Sequence, residues 1–524
     1  MDGIAPANRG PAKLIISVVA MLCLAAVIGS ALVSSVQAQV SVSNLLEYRL
    51  GNLPDTEPSN LTTFYDQLDI YYRTGGLTGH VKLEQFQGID DDISFSEMVQ
   101  RSLKFESRGF EIEVGNFNEM LGRGLLFRSY ELPGVVLEDL GFRTRYGAYR
   151  DMEGVALRYS GPWIELKAIR GKPLRNDLPP GLGFDAFRRS TTIEAVQVDL
   201  VAIDGFDLGG VYMRDNPETG TMGEQEFVEY GSLFLEGNLP RDIHFYTEYA
   251  SSGGSEFSFF DLSDDSPHAL YSGADVSMGP VGLSLEYKDY NDFLLGYNDP
   301  PTLIREHFYV LLNRSSHLLI PVNESGWQAE AFYTSDSGHN VTINLTEARN
   351  KLFKEYLYKE FFLEAQYLIS EELSIKGFFD SSEEPLSQEF DRLAGGLNVE
   401  AEGPGQWAGI LDLEYQAFDR VLGPDEQKVK NYVARVTLTR SPDLSAGLIW
   451  ERSTDPFETD DPATPVRETE SRNWVGASVG YQYDKNHIIS IFYGKRRGGP
   501  ACESGICYQV LDFEGLELRI NSTF

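Results

Sequence analysis

Lysine and arginine number 44 against 79 aspartates and glutamates in 524 residues, a formal net charge of −35. That balance excludes docking to nucleic acid through a basic patch. Glycine (50), phenylalanine (31) and tyrosine (27) are abundant, which suits strands, tight turns and aromatic belts.

Residues 1–38 have the form of a cleaved secretory signal peptide: Arg9 and Lys13 precede an apolar run over 14–33, and small residues lead up to Ala38. Cys23, inside that run, lacks the small residue that a lipid-attachment site needs just before it. Further on, nothing approaches the roughly 18 consecutive apolar residues of a helical span, so a membrane fate would have to be a barrel. No Pro/Ser-rich linker and no shift of composition divides the remainder, and 39–524 reads as one domain.

From about residue 41 the chain alternates. In 281–288, Val281, Leu283, Leu285 and Tyr287 oppose Gly282, Ser284, Glu286 and Lys288, and the same period recurs in 327–333, 361–367, 409–416 and 432–439. Short turns, most of them holding Gly, Pro, Asn or Asp, are predicted at 75–76, 107–109, 161–162, 204–205, 237–242, 279–280, 315–326, 370–372, 403–406, 441–443 and 484–486. Long polar connections are predicted at 52–63, 88–98, 117–153, 171–191, 214–229, 251–269, 291–304, 336–356, 381–391, 418–428, 453–471 and 496–507. Short and long alternate, which predicts an all-β, antiparallel, up-and-down transmembrane barrel of about 24 strands (22–26), with both termini on the periplasmic side. Segment 341–345 could add a hairpin inside 336–356, and 117–153 could hide another. Glu514-Gly515 reads as a bulge in one long final strand, because Leu511 and Phe513 are out of phase with Phe524.

A barrel of this size is too wide to be filled by its wall side chains. The longest loop, 117–153, gathers Arg123, Arg128, Arg143, Arg145 and Arg150 in a chain poor in arginine. It is either an ordinary external loop or a constriction folded into the lumen against acidic wall residues. The strand period turns Arg158, Glu165, Lys167, Glu248, Glu286, Lys288, Glu330, Glu364, Lys376, Asp412, Glu414, Arg435, Glu517 and Arg519 inward. Such charges suit a hydrated channel with a slight cation preference, or they merely pair across neighbouring strands.

Cys502 and Cys507, close in sequence and with Gly505 between them, suggest a disulfide in an exported chain. Without nearby histidines they are too few to hold zinc. The acidic runs Asp90-Asp91-Asp92, Asp264-Asp265 and Asp460-Asp461 lack the spacing of a calcium loop, so no metal site and no cofactor is expected. None of the seven histidines sits in a hydrolase or metalloprotease motif. Ser315-Ser316-His317 is the nearest approach to a nucleophile beside a base, and it falls in a turn predicted to face the periplasm. The chain is not expected to be an enzyme, and a catalyst at the barrel rim is the least favoured reading.

Leu516, Leu518 and Ile520 alternate with Glu517, Arg519 and Asn521, and the chain ends on Phe524. This resembles the C-terminal signature of bacterial outer-membrane β-barrels. The resemblance implies outer-membrane lipid as surroundings and recognition of Phe524 by the barrel-assembly machinery. More narrowly, Asn44-Leu45-Leu46-Glu47-Tyr48-Arg49, Arg305-Glu306-His307 before a strand, and Gly494-Lys495-Arg496-Arg497-Gly498-Gly499 are similar to segments of a family of large outer-membrane barrels with no established activity. That similarity implies fold and location only. A TonB-dependent transporter is disfavoured, because strands begin near Ser41 and leave no space for a plug domain. The expected function is a porin-like channel for small solutes. The alternative is a plugged scaffold or secretion component, its lumen blocked by a partner or by 117–153.

Overall fold

Alternating side chains joined by tight turns favour a meander, each strand pairing with the next. The computed structural model describes residues 38–524 apart from 89–92, 140, 142, 175–190, 204, 218–226, 254–265, 294, 296, 298–299, 303–304, 318–322, 353–355, 423–424, 460–470 and 504–505. Twenty-four strands make one antiparallel sheet. The first, Gln39–Asn52, pairs with the last, Phe513–Thr523, from Ser43↔Thr523 to Asn52↔Glu514. The sheet is a closed barrel without a free edge. Phe524 completes the seam: its N–H donates to the Val42 carbonyl at 2.8 Å, and its carbonyl accepts from the Val42 N–H at 3.2 Å.

The two faces of the wall differ as the alternation demands. On Thr191–Ile203, Val196, Val198 and Leu200 are exposed while Ile193, Ala195 and Gln197 are buried. On Trp407–Leu422, Leu413 and Tyr415 are exposed while Glu414 and Gln416 are buried. Exposed Phe110, Trp163, Tyr367, Trp407 and Tyr483 stand near the short turns, and Tyr48, Tyr212, Trp327 and Trp450 stand nearer the long connections. An outward apolar band between two aromatic girdles is what a bilayer selects in a barrel.

The strand count matches the expected 24 through two compensating departures. Among the described residues of 292–323 there is no strand, so Arg305-Glu306-His307 leads into a helix before the strand Glu324–Thr334, and 315–326 is not a tight turn. The apolar run Tyr309–Leu312 belongs instead to a helix, Val310–Arg314, and its cap. The tight turn lies at 335–339, where the Ser335 N–H donates to the His339 carbonyl at 2.9 Å, and Asn340–Asn350 is the extra strand inside 336–356. Two connections predicted to be long are short: 385–388 is a single helical turn, and strands Trp407–Leu422 and Asp425–Arg440 run on until they nearly meet. Those two strands have 16 residues each, more than the ~9–11 that span a bilayer, so their hairpin continues as a ribbon beyond it. There is no bulge at Glu514-Gly515: the ladder passes through Gly51↔Gly515 and Gly494↔Gly515 without a register shift. Phe513 is out of phase with Phe524 because it faces inward, buried between Arg49 and Arg496 with its ring 4.9 and 5.6 Å from their guanidinium carbons.

Candidate functional site

Loop 118–151 leaves the wall where Met152 pairs with Phe117. Its first part is a small hairpin, Met120–Leu121 against Phe127–Arg128, turned by Gly122 and Gly124 with φ of +56° and +88°. A Cβ on Gly122 would lie 2.4 Å from a Glu248 carboxylate oxygen, so glycine is what admits the backbone there. The Gly122 N–H donates to Gln197 Oε1 at 3.0 Å, and the Arg123 N–H donates to Glu248 Oε2 at 2.8 Å. Tyr246 donates its hydroxyl to the same Glu248 oxygen at 2.6 Å. The Arg123 guanidinium sits 4.8 Å from the Tyr246 ring centre and 3.6 Å from Glu236.

Leu121, Leu125, Leu126 and Phe127 of this hairpin are wholly buried. They pack on Met152, Ile193 and Met213 of the wall and on Phe293, Leu295 and Tyr297 of loop 292–323. Burial of one such side chain is worth about 1.5–3 kcal/mol, so the hairpin is held by a dry core. The remainder of the loop is a second hairpin, Tyr130–Glu138 against Arg145–Arg150, fixed by charge. Arg145 pairs with Glu47 at 2.5 Å, Arg49 with Glu138 at 2.8 Å, and the Gly147 N–H donates to Glu84 at 3.2 Å. Lys82 pairs with Glu131, and Arg519 donates to the Gly134 carbonyl at 3.3 Å.

Loop 292–323 is anchored in the same manner on other strands. Arg305 pairs with Glu330, His307 Nε2 lies 2.9 Å from Glu360, and Tyr309 donates to Glu364 at 2.5 Å. Arg392 donates to the Ser315 carbonyl at 2.7 Å, and Arg314 pairs with Glu451. His307 and Tyr309 both turn to the wall, so the Phe308 between them turns away from it, and it is 96% exposed. Loop 497–512 joins the other two. Its hairpin, Gly499–Glu503 against Ile506–Val510, sets Cys502 opposite Cys507, and Cys507 is disulfide-bonded. Ile506 packs on Leu132 and Ala148, and Arg314 donates to the Arg497 carbonyl at 3.1 Å.

The wall residues singled out from the sequence lie on the face that these loops cover. Arg158 pairs with Glu119 at 2.7 Å and Glu113 at 3.1 Å, and Lys167 donates to the Met120 carbonyl at 3.0 Å. Arg435 donates to Asp412 at 2.9 Å, and Glu517 takes Arg49 at 2.6 Å and Arg496 at 3.1 Å. Lys288 pairs with Glu324 at 2.5 Å, and Arg519 pairs with Glu47. Glu165, Glu286 and Lys376 occupy the same face by register, as partners of Asp199, Gly273 and Asn398.

The loop arginines divide. Arg123 meets Glu248 near the middle of strand Ile243–Gly253, whereas Arg143 bonds Asn52 at the loop end of its strand and Arg145 is ion-paired with Glu47. Arg150 stacks over Tyr130 within its own hairpin, and Arg128 flanks Gly124. Arg305, Arg314, Arg392 and Lys82 were missed as interior charges. Only the register of Lys82 and Arg392 with known inward residues could have revealed two of them.

Ser315-Ser316-His317 is buried in loop 292–323. His317 Nδ1 faces Glu384 and its Nε2 lies 3.2 Å from Glu324, so both ring nitrogens are taken by carboxylates. Ser315 Oγ accepts from Gln416 at 3.0 Å, and Ser316 Oγ donates to the Leu312 carbonyl at 3.5 Å. Neither serine has the histidine as a base. The acidic runs at 90–92, 264–265 and 460–461 lie outside the described residues, as does the signal-peptide segment up to residue 37.

No protein-family model matches the chain, and no curated protein does. Among solved structures, the E. coli P pilus tip assembly intermediate PapC-PapD-PapK-PapG aligns at 9% identity over 94% of this chain and 62% of that chain, with a TM-score of 0.51. Pseudomonas aeruginosa OccK11 (OpdR) aligns at 12% identity over 66% of this chain and 90% of that chain, with a TM-score of 0.37. The outer membrane protein OprD from Pseudomonas aeruginosa gives 12%, 66%, 89% and 0.35 in the same order. The closed ring, its apolar girdled exterior and the first of these likenesses agree. The protein is a bacterial outer-membrane β-barrel. At such identities the likeness is one of fold, and chemistry must come from the interior just described.

Proposed function

We propose that this outer-membrane barrel is a constricted channel for small hydrophilic solutes, with a slight preference for cations. One observation carries the reading: Phe308 is held between two wall-anchored neighbours and yet is 96% exposed, so open space adjoins the inner loop. Arg123 and Arg305 enter near mid-wall, beside Glu248 and Glu330, which is where charge on a pore rim acts on passing ions. The excess of acidic residues favours cations.

A second reading, a plugged scaffold without transport of its own, is favoured by the dry core around Leu125, Leu126 and Phe127. Single-channel recording of the refolded mature protein in a planar bilayer under a KCl gradient separates the two. Steady steps with a cation-leaning reversal potential support the channel. An inserted but silent barrel that begins to conduct when 118–151 is deleted supports the plug.

A further inference from the structure

Beneath loop 118–151, towards the short-turn end, the wall is hollowed by a cavity of ≈ 470 Å³. It lies between strands Thr62–Thr74, Leu77–Gln87, Phe95–Ser107 and Phe110–Phe117 and the loop residues Asn118 and Glu131. Its size is in the ~300–1,000 Å³ range of small-molecule sites. Tyr71 and His80, cross-strand partners, stack in its lining with ring centres 4.2 Å apart and planes 10° apart. Asp69 Oδ1, 3.0 Å from His80 Nε2, fixes the imidazole, so the aromatic surface is set before any ligand arrives.

The rest of the lining is polar. Lys104 is held by Glu106 at 2.6 Å and Glu111 at 3.4 Å, and Asn116 donates to Asp151 at 3.1 Å. Carboxylates outnumber cationic side chains among the lining residues: Glu106, Glu113, Glu131 and Asp151 against Arg73 and Lys104. Glu106, Glu113 and Glu131 are paired with Lys104, Arg158 and Lys82, which balances their charge but leaves carboxylate lone pairs to accept from hydroxyl donors, so the lining favours a neutral polar ligand over an ion. The complement of this fixed aromatic pair with acceptors around it is a neutral ring, apolar on its face and bearing hydroxyl donors around its edge.

We infer that the cavity lined by Tyr71, His80, Lys104 and Glu131 is a binding subsite for a short neutral saccharide. This deepens the channel reading by naming a solute class, and it is tested by binding, so a silent barrel would leave it untouched.

The test is calorimetric titration of the full mature protein, refolded in an amine-oxide detergent free of sugar headgroups, with maltose, and with glutamate as an anionic control. The expected result is saturable maltose binding and none of glutamate. Tyr71→Ala should weaken maltose binding about tenfold, a loss of ~1.4 kcal/mol, while Tyr71→Phe, which keeps the ring, should bind as the wild type does and show that position 71 tolerates change. His80→Gln, which removes the second ring, should also weaken it. Absence of maltose binding by the wild type, or equal binding by Tyr71→Ala and His80→Gln, overturns the assignment.

Discussion

Glu414 accepts hydrogen bonds from the backbone N–H groups of Val310 and Leu311, at 3.0 and 2.9 Å. The helix that begins there, Val310–Arg314, has Tyr309 as its N-cap with no side-chain bond of its own, so a wall carboxylate satisfies donors that the sequence leaves open. Glu414→Ala should free this end of loop 292–323 at a local cost of about 1–3 kcal/mol, with Glu414→Gln milder. Cleavage within 292–323 should quicken in limited proteolysis while the barrel stays folded. Equal cleavage rates in wild type and Glu414→Ala would show that the cap does not hold the loop.

The pair Arg145–Glu47 is almost fully buried on both sides. Leaving a buried charge without any partner costs about 3–5 kcal/mol; Glu47 keeps Arg519, so the loss on removing Arg145 falls below that range. Arg145→Met is expected to raise hydrogen exchange selectively in the hairpin 130–150, because Arg519 still reaches Glu47 from the wall. Exchange that rises equally in every wall strand would instead mean that Arg145 stabilises the barrel as a whole.

What could be read from the sequence and what could not follow from distance along the chain. Alternation such as Val281, Leu283, Leu285, Tyr287 is local, and so are the turns at Gly279-Pro280 and Ser441–Asp443, so the strands and the ring were legible. The fate of loop 118–151 was not, because it depends on Glu47, Glu84, Gln197 and Glu248, whose carboxylates and amides look like any inward polar group until the loop meets them. Leu125, Leu126 and Phe127 carried a signal: three adjacent apolar residues in a loop need cover. Tyr309–Leu312 misled because a short apolar run fits strand and helix alike. Asn340–Asn350 falls within a predicted long connection, with only 341–345 marked as a possible hairpin, because the Ser335–His339 turn ahead of it reads as the start of a polar stretch.

Arg123 and Arg305 place positive charge among acidic wall residues near mid-wall. Replacing both with alanine should shift the reversal potential in a KCl gradient further towards cations and raise conductance, since two repelling charges leave a narrow, poorly screened region. An unchanged reversal potential would place the ion path elsewhere in the barrel.

His317 sets a pH limit on loop 292–323. Burial opposes charge on its ring, but hydrogen bonds and attraction from Glu324 and Glu384 outweigh that and raise its pKa to about 9, from an ordinary 6.5. A raised histidine pKa favours the folded loop most where the ring is charged in both states, below the ordinary value, and this contribution fades as pH climbs through the raised one. Proteolytic protection of 292–323 should therefore be greatest below about pH 6.5 and fall between about pH 6.5 and 9. His317→Gln should flatten that dependence, since glutamine keeps hydrogen bonding but cannot titrate. Tyr358 stacks on the imidazole with ring centres 4.6 Å apart, and Lys288 shares Glu324, so these are the neighbours whose own titration must be checked. A fall in protection that persists in His317→Gln assigns the pH dependence to them.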